Sequence, residues 1–286
     1  MIEVLAPGPY ATVQDLGRPG YAHLGVPRSG AADTAGLRLA NRLVGNPEGS
    51  AGLELTFGGA RLRFSAGAWV AVTGAPCPLA SSFEGGALGM RAPFWLPPGA
   101  DLRIGLPAWG LRTYVAVRGG IDVEPVLGSR STDSLSGLGP APLRAGTTLP
   151  VGGTRSLPPI CADHAPAPPL PPPVLRVLPG PRDDWFAPDA LDVLCARPYE
   201  VSQDSNRVGL RLRGGALKWA RQGELPSEGV VTGAVQVPPS GQPIVFLADH
   251  PPTGGYPVIG VVAAADLPIA AQARPGDSLS FRLVNR

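Results

Sequence analysis

The chain repeats one polar pattern whose residue types are suited to binding an anion. Gln-Asp-x-x-Arg-x-Gly occurs at residues 14–20 and again at residues 203–209. The planar guanidinium of arginine can donate two parallel N–H groups to a carboxylate or a phosphate. We therefore expect Arg18 or Arg207 to hold the anionic part of a ligand.

Glycine-rich polar loops surround both copies of the pattern. They read "QDLGRPGYAHLGVPRSGAAD" and "RGGIDVEPVLGSRSTDS" in the first half, then "SQDSNRVG", "PSEGVVTGAVQVPPSGQP" and "ADHPPTGGYP" in the second. Such loops expose backbone N–H groups that can surround a developing negative charge. The side chains and glycines of these loops that we predict to bind substrate, besides Arg207, are Ser29, Gln236, Ser240, Thr253, Gly254, Gly255 and Tyr256.

Three aspartates are candidates for the general base, namely Asp15, Asp33 and Asp249, and Asp15 and Asp249 are predicted to be catalytic together with Arg18. Two of the three have a structural alternative. Asp15 can cap a tight turn, and Asp33 is well placed to cap a helix.

The arginines also have a structural alternative. Arg18 can pair with Asp15, and Arg207 with Asp204, in ion pairs that stabilise their own loops.

Several kinds of chemistry lack their sequence signals. Lys218 is the only lysine and no Walker-type loop is present, so ATP is not bound through a P-loop lysine. The three histidines are not paired at metal-binding spacing, and three widely spaced cysteines suit neither a disulfide framework nor a zinc site. We expect no metal.

Charge and hydropathy limit the partners. The formal net charge is +2 and the arginines are scattered, so a nucleic-acid surface is not indicated. No apolar run is long enough for a membrane helix, and the first ten residues do not resemble a secretory signal. We expect a cytoplasmic protein that does not bind membranes.

The elements that must position these loops are mostly strands. The sequence is 44% hydrophobic, and its apolar blocks are short and separated by many of the 39 glycines and 36 prolines. One helix is predicted over about 34–44, capped by Asp33 and ended by Gly45, and a shorter one follows Asp266.

A proline-rich segment divides the chain. Eight of the sixteen residues of 158–173 are proline, which cannot form an interior strand. We expect an N-terminal module at 1–157, a linker at 158–173 and a C-terminal module at 174–286. Since each module carries one copy of the polar pattern, duplication of a β domain is the favoured interpretation, with chance as the alternative.

The five loops, in this order over residues 13–277, resemble the allophanate hydrolase subunit 2 family, which is also described as biotin-dependent carboxyltransferase-like. The resemblance implies two tandem cyclophilin-like β-barrel modules with a few short helices. Pro251 and Pro252 stand where many relatives carry a Gln-Thr-type pair, which puts contacts of those two positions in doubt.

The resemblance also implies a function. It favours the C subunit of an ATP-dependent 5-oxoprolinase, in which ATP is shared with a B subunit and a LamB-type A subunit. The alternatives are a biotin-dependent carboxyltransferase acting on urea or a related amide, and a non-catalytic regulator that binds a kinase-inhibitor-like partner. No covalent biotin is expected on this chain, because biotin carriers flank their lysine with methionines and neither Met1 nor Met90 is near Lys218.

Overall fold

The structure is a computed structural model that describes residues 1–83, 88–221 and 223–284. These residues form two compact units. The first comprises Met1–Arg18, Ser29–Asp133 and Gly137–Pro169. The second comprises Leu170–Arg286 together with two short segments from earlier in the chain, Pro19–Arg28 and Ser134–Ser136.

The first unit contains two antiparallel five-stranded sheets and one α-helix. One sheet has the strand order β10-β1-β4-β8-β6 and the other has the order β2-β3-β9-β5-β7. The elements are β1 (Ile2–Ala6), β2 (Tyr10–Gln14), α1 (Thr34–Leu43), β3 (Gly52–Thr56), β4 (Ala60–Phe64), β5 (Ala68–Gly74), β6 (Leu79–Ser81), β7 (Pro93–Leu96), β8 (Asp101–Ile104), β9 (Arg112–Val117) and β10 (Thr148–Leu149).

Strand β9 shows how the sequence packs this unit. All six of its residues are buried, because both faces of the strand are covered. Val115 and Val117 join the core shared by the two sheets, whereas Tyr114 and Ala116 pack with the apolar face of α1. Alternate residues of a strand point to opposite faces, so a continuous apolar run serves both layers.

Helix α1 ends where its capping residues predict. The Asp33 carboxylate accepts a hydrogen bond from the Gly36 N–H at 3.0 Å, and Gly45 follows the helix with φ of 68°. The predicted helix at 34–44 and the N-cap function of Asp33 are confirmed.

The second unit contains a closed barrel with the strand order β11-β18-β15-β16-β13-β12-β19 and a separate β14–β17 ribbon. Strands β11 and β19 are parallel, and the other neighbouring strands of the barrel are antiparallel. The elements are β11 (Val174–Pro179), α2 (Ala190–Ala196), β12 (Tyr199–Val201), β13 (Gly209–Arg213), β14 (Glu228–Gly229), β15 (Ala234–Gln236), β16 (Ile244–Phe246), β17 (Thr253–Gly254), β18 (Val258–Val262), α3 (Leu267–Gln272) and β19 (Ser278–Leu283).

The mostly β fold with short helices is confirmed, and the helix after Asp266 is α3. The closed barrel belongs to the second unit. The passage from the first unit to the second, at residues 169–170, falls within the proline-rich segment. Whether 1–157 and 174–286 are independent modules with equivalent folds stays a prediction.

None of the helices in the described ranges is long and apolar enough to cross a bilayer.

Candidate functional site

Arg18, in the first unit, is a buried cation surrounded by neutral acceptors. Its side chain is 1% exposed. Nε donates to the Val126 carbonyl at 3.3 Å, Nη1 donates to Ser29 Oγ at 3.3 Å, and Nη2 donates to the Ser131 carbonyl. Arg18 forms no ion pair with any residue that the structure describes. Buried charges are normally paired, so this guanidinium lacks the counter-charge that an anionic ligand would supply.

Local backbone geometry keeps these acceptors close to the guanidinium. Ser29 has φ of 56°, a left-handed conformation that is uncommon for a residue with a side chain. Gly139 has φ of 82°, and a Cβ there would overlap the Ser131 carbonyl oxygen and lie 3.2 Å from Arg18 Nη2. Glycine at 139 is therefore needed for the contact between Arg18 and Ser131.

Asp15 organises the loop that carries the Ser131 carbonyl. Its Oδ1 accepts hydrogen bonds from Ser129 Oγ at 2.6 Å, Ser131 Oγ at 2.5 Å and the Gly17 N–H at 2.8 Å. Its Oδ2 accepts from the Arg130 N–H at 2.6 Å. Both carboxylate oxygens are thus occupied by internal donors. The turn-capping alternative describes this geometry, while a catalytic role for Asp15 stays a prediction.

The ion pair considered between Arg18 and Asp15 is wrong, since the described residues contain no such pair. Asp15 instead acts on Arg18 indirectly, because it fixes the loop whose carbonyl accepts from the guanidinium.

Gln14 is a buried amide with one unused oxygen. Its Nε2 donates to Thr12 Oγ1 and to the Thr132 carbonyl, both at 3.0 Å. Its Oε1 is buried and has no hydrogen-bond partner among the described residues. Because only an N–H can face the Thr132 carbonyl, the amide orientation is fixed and Oε1 is left as an acceptor.

A second buried polar network holds the segment between Ser29 and α1. Glu54 Oε2 accepts from the Tyr114 hydroxyl at 2.7 Å and from the Ala32 N–H at 2.9 Å. The Asp33 N–H donates to the same tyrosine hydroxyl at 2.8 Å. Burial, together with the nearby Glu54 charge, raises the pKa of Tyr114 well above its usual value. The neutral phenol therefore fixes the backbone that follows Ser29.

In the second unit, Arg207 and Asp249 form a buried bidentate ion pair. Nε lies 2.9 Å from Oδ2 and Nη2 lies 2.9 Å from Oδ1, with side-chain exposures of 3% and 0%. Ser134 donates to Asp249 Oδ2 through its N–H at 2.9 Å and its hydroxyl at 2.6 Å. The carboxylate is thus held by donors of this unit, and the predicted role of Asp249 as a base stays a prediction.

The pairing considered between Arg207 and Asp204 is wrong. Asp204 lies at the surface and pairs with Arg213 at 3.4 Å. The two copies of the repeated pattern therefore use their aspartates differently, since Asp15 is buried and Asp204 is exposed.

His250 is a buried residue of this region that the sequence patterns did not single out. Its Nδ1 lies 2.8 Å from the Pro251 carbonyl and its Nε2 lies 3.1 Å from Thr232 Oγ1. The ring stacks on Phe246 at a centroid distance of 5.6 Å. Burial lowers the pKa of His250, against the opposing effects of the Pro251 carbonyl and the Asp249 charge. The signal in the sequence was its position directly after Asp249.

Four predicted residues lie together in the second unit. The Gln236 amide donates to the Tyr256 carbonyl at 3.1 Å, and a Cβ at Gly254 would lie 2.6 Å from Gln236 Nε2. Thr253 is next to Gly254 in β17, which pairs with β14. The Gln236 side chain is buried, whereas the Tyr256 side chain is 45% exposed and can form the wall of a site.

Gly255 is exposed and connects Gly254 to Tyr256, so it belongs to the same group. Ser240 lies apart from this group and is exposed in the turn that precedes Gly241. Ser240 lines a separate cleft with Lys218 and Trp219 that none of the other predicted site residues lines. The structure thus divides the predicted residues into the Arg18 group of the first unit, and the Arg207–Asp249 pair and the Gln236 group of the second.

Comparison with known proteins places this fold in a defined class. The family model for the carboxyltransferase domain, subdomains A and B, matches residues 24–283. The chain therefore belongs to the carboxyltransferase domain family.

Two relatives are particularly informative. The chain is 38% identical to the C subunit of 5-oxoprolinase from Escherichia coli (strain K12), over 98% of this chain and 90% of that protein. It is 36% identical to urea amidolyase of Lachancea kluyveri, over 98% of this chain but only 17% of that protein.

Two solved structures also resemble this chain over nearly its whole length. The structure of TTHA0988 matches with a TM-score of 0.88 at 39% identity, over 98% of this chain and 55% of that one. The urea amidolyase of K. lactis matches with a TM-score of 0.90 at 32% identity, over 99% of this chain and 19% of that one. The chain thus spans about half of one structural relative and a fifth of the other.

Proposed function

We propose that this chain is the C subunit of an ATP-dependent 5-oxoprolinase and opens 5-oxoproline to glutamate together with the B and A subunits. The observation that supports this most strongly is the match to the E. coli 5-oxoprolinase C subunit over nearly the full length of both chains. The Haemophilus influenzae protein of the same name repeats it, at 32% identity over 100% of this chain and 92% of that protein.

The chemistry of the substrate is compatible with the Arg18 group. 5-Oxoproline carries a carboxylate and a lactam, and the lactam amide is a poor electrophile because of its resonance. The reaction consumes 5-oxoproline, ATP and two waters and yields glutamate, ADP and phosphate. Phosphorylation of the amide oxygen by ATP activates the ring carbon, and the binding of ATP is shared with the partner subunits.

In this proposal two buried groups of the first unit recognise the substrate. Arg18 binds the carboxylate, which supplies the missing counter-charge, and Gln14 Oε1 accepts a hydrogen bond from the lactam N–H. The two side chains already bind the successive carbonyls of Ser131 and Thr132, so they act from the same segment of the unit. Asp15 positions that segment.

The second candidate function is carboxyl transfer from biotin to urea or a related amide. The family description and the urea amidolyase relatives favour it. Since Lys218 is the only lysine and has no neighbouring methionine, this function requires a biotin carrier outside these 286 residues.

The test is to co-express the chain with the proteins encoded beside it and to measure ADP release from the purified complex. We expect ADP release that depends on 5-oxoproline, produces glutamate and is insensitive to avidin. ADP release that depends on urea and is blocked by avidin would instead establish the carboxyltransferase function. The same complex carrying an Arg18→Ala chain is the matched control for the contribution of this protein.

A further inference from the structure

A cleft of about 570 Å³ opens on the second unit, between the segment that follows β13 and the turn that follows β15. This volume is within the range of small-molecule sites. Its described lining consists of Ala216, Leu217, Lys218, Trp219, Arg221, Gly223, Pro239, Ser240 and Gly241.

The floor of the cleft is fixed by backbone contacts. The Leu217 N–H donates to the Gly241 carbonyl at 2.9 Å, and the Gly241 N–H donates to the Pro238 carbonyl at 2.9 Å. Gly241 has φ of 74°, and a Cβ there would lie 2.9 Å from the Leu217 carbonyl oxygen. These contacts fix the distance between the segment around Leu217 and the turn at Gly241 in the absence of a ligand.

The polar groups of the cleft are mainly donors. Lys218 is the chain's only lysine, is exposed, and pairs with no carboxylate among the residues that the structure describes. The Trp219 indole N–H is buried and has no acceptor in the same set of residues. Arg221 pairs with Asp184 at 2.6 Å, so these two charges offset one another and the charge of Lys218 remains.

We propose that this cleft binds a small organic anion, with a carboxylate or phosphate on Lys218. The inference is independent of the proposed function, because the cleft contains neither the Arg18 group nor the Arg207–Asp249 pair. The exposed Lys218 ammonium has no carboxylate partner among the described residues, so it is available for a charge-assisted hydrogen bond to such a ligand.

The proposal is tested by measuring whether an anion protects Lys218 from acylation. Lys218 is suited to this measurement because it is the only lysine in the chain. The 286-residue chain is treated with a limiting amine-reactive ester, and acylation at Lys218 and at the exposed amine of Met1 is quantified by peptide mass spectrometry. The probes are inorganic phosphate, ADP and 5-oxoproline, and the uncharged comparison compounds are adenosine and 2-pyrrolidinone. The N-terminal amine is an internal reference for nonspecific effects.

We expect at least one anion, at millimolar concentration or below, to slow acylation of Lys218 by fivefold or more without slowing that of the N-terminus. Protection by phosphate and ADP identifies a phosphate site, whereas protection by 5-oxoproline alone identifies a carboxylate site. Equal rates with every anion, or equal protection by the uncharged compounds, would overturn the proposal.

Calorimetric titration of the protecting anion gives a second readout. Lys218→Met is expected to weaken binding at least tenfold. Arg197→Gln is the matched control, because it also removes one exposed positive charge from the second unit but does not line the cleft. Equal weakening by Arg197→Gln and Lys218→Met would show a general charge effect and would also overturn the proposal.

Discussion

Arg207 is neutralised by Asp249, whereas Arg18 is buried among neutral oxygen atoms. A buried charge without a partner costs several kcal/mol in real proteins. Hydrogen bonds to the Ser131 carbonyl and to Ser29, whose backbone is left-handed, keep the Arg18 guanidinium buried despite this cost. Of the two arginines, Arg18 is therefore the one whose electrostatic energy would improve most on binding an anion.

Replacing Arg18 by alanine is expected to affect both activity and stability. Loss of a ligand-binding arginine should lower kcat/KM of the assembled complex by about 100-fold, on the order of 3 kcal/mol. The Tm should also fall, because the carbonyls of Val126 and Ser131 lose their donor, at about 1–3 kcal/mol for a buried group. Activity is measured per folded complex.

Arg18→Lys is the matched variant, since it keeps the charge but not the planar fork. We expect it to recover part of the activity and little of the stability. If Arg18→Ala complexes melt early but show normal kcat/KM per folded molecule, Arg18 has a structural function only.

Asp249→Asn tests whether Asp249 is a base or a structural partner. Removing one member of a buried ion pair destabilises by about 3–5 kcal/mol, so we expect a large decrease in the urea midpoint. Asp204→Asn is the control, because it changes the surface aspartate of the repeated pattern and should cost less than about 0.5 kcal/mol. Normal turnover per folded Asp249→Asn complex would contradict the predicted catalytic role of Asp249.

His250 makes stability depend on pH. Its pKa is lower in the folded protein than in the unfolded chain, where histidine titrates near about 6.5. The unfolded state therefore takes up the proton first, and the free energy of unfolding falls as pH is lowered through about 6.5.

We expect the Tm of the wild-type protein to decrease between pH 7.5 and pH 5, and His250→Gln to show a weaker decrease. The exposed His164→Gln is the matched control and should keep the wild-type profile. A His250→Gln profile that is identical to the wild-type profile would contradict the prediction.

At the scale of elements, the loop that ends at Gly139 sets the position of the Ser131 carbonyl. Gly137 and Gly139 both have positive φ, but only Gly139 lacks room for a Cβ. Gly137→Ala should cost about 1 kcal/mol from the left-handed backbone alone. Gly139→Ala should cost about 2–4 kcal/mol, because the overlap with Ser131 is added.

Chemical denaturation measures this difference, and kinetics of the assembled complex measure its effect on Arg18. We expect a raised KM for Gly139→Ala and an unchanged KM for Gly137→Ala. Equal destabilisation by the two substitutions would mean that the loop relaxes and does not hold the carbonyl in place.

At the scale of the whole molecule, relatives differ in what accompanies this domain. The chain covers 90% of the E. coli 5-oxoprolinase C subunit, but 55% of the TTHA0988 chain and 17% of the L. kluyveri urea amidolyase. The longer relatives thus carry further sequence in the same polypeptide.

Because the proposed function makes this chain the C subunit of a complex, the isolated chain is predicted to show no 5-oxoproline-dependent ADP release and to co-purify with a homologue of the B subunit when the two are co-expressed. Size-exclusion chromatography with light scattering measures the complex, and the assay is repeated after each partner is added. Full turnover by the isolated chain would contradict this prediction.

The sequence by itself determined the elements whose signals are local. The limits of α1 followed from Asp33 and Gly45, because a cap acts within one turn of the helix. Short apolar blocks between turn residues identified the strands. Helix α2 was not predicted, although Asp189 stands at its N-cap position; in the structure that side chain does not cap the helix.

Only the tertiary structure decided which charges meet. The repeated pattern placed an aspartate three residues before each arginine, yet Arg207 pairs with Asp249, 42 residues away, and Asp15 binds serines more than 110 residues away. The closure of the barrel in the second unit was likewise fixed by strand pairing. Such contacts join segments distant in sequence, and burial favours them because most buried polar groups find a partner where the packed chain brings one.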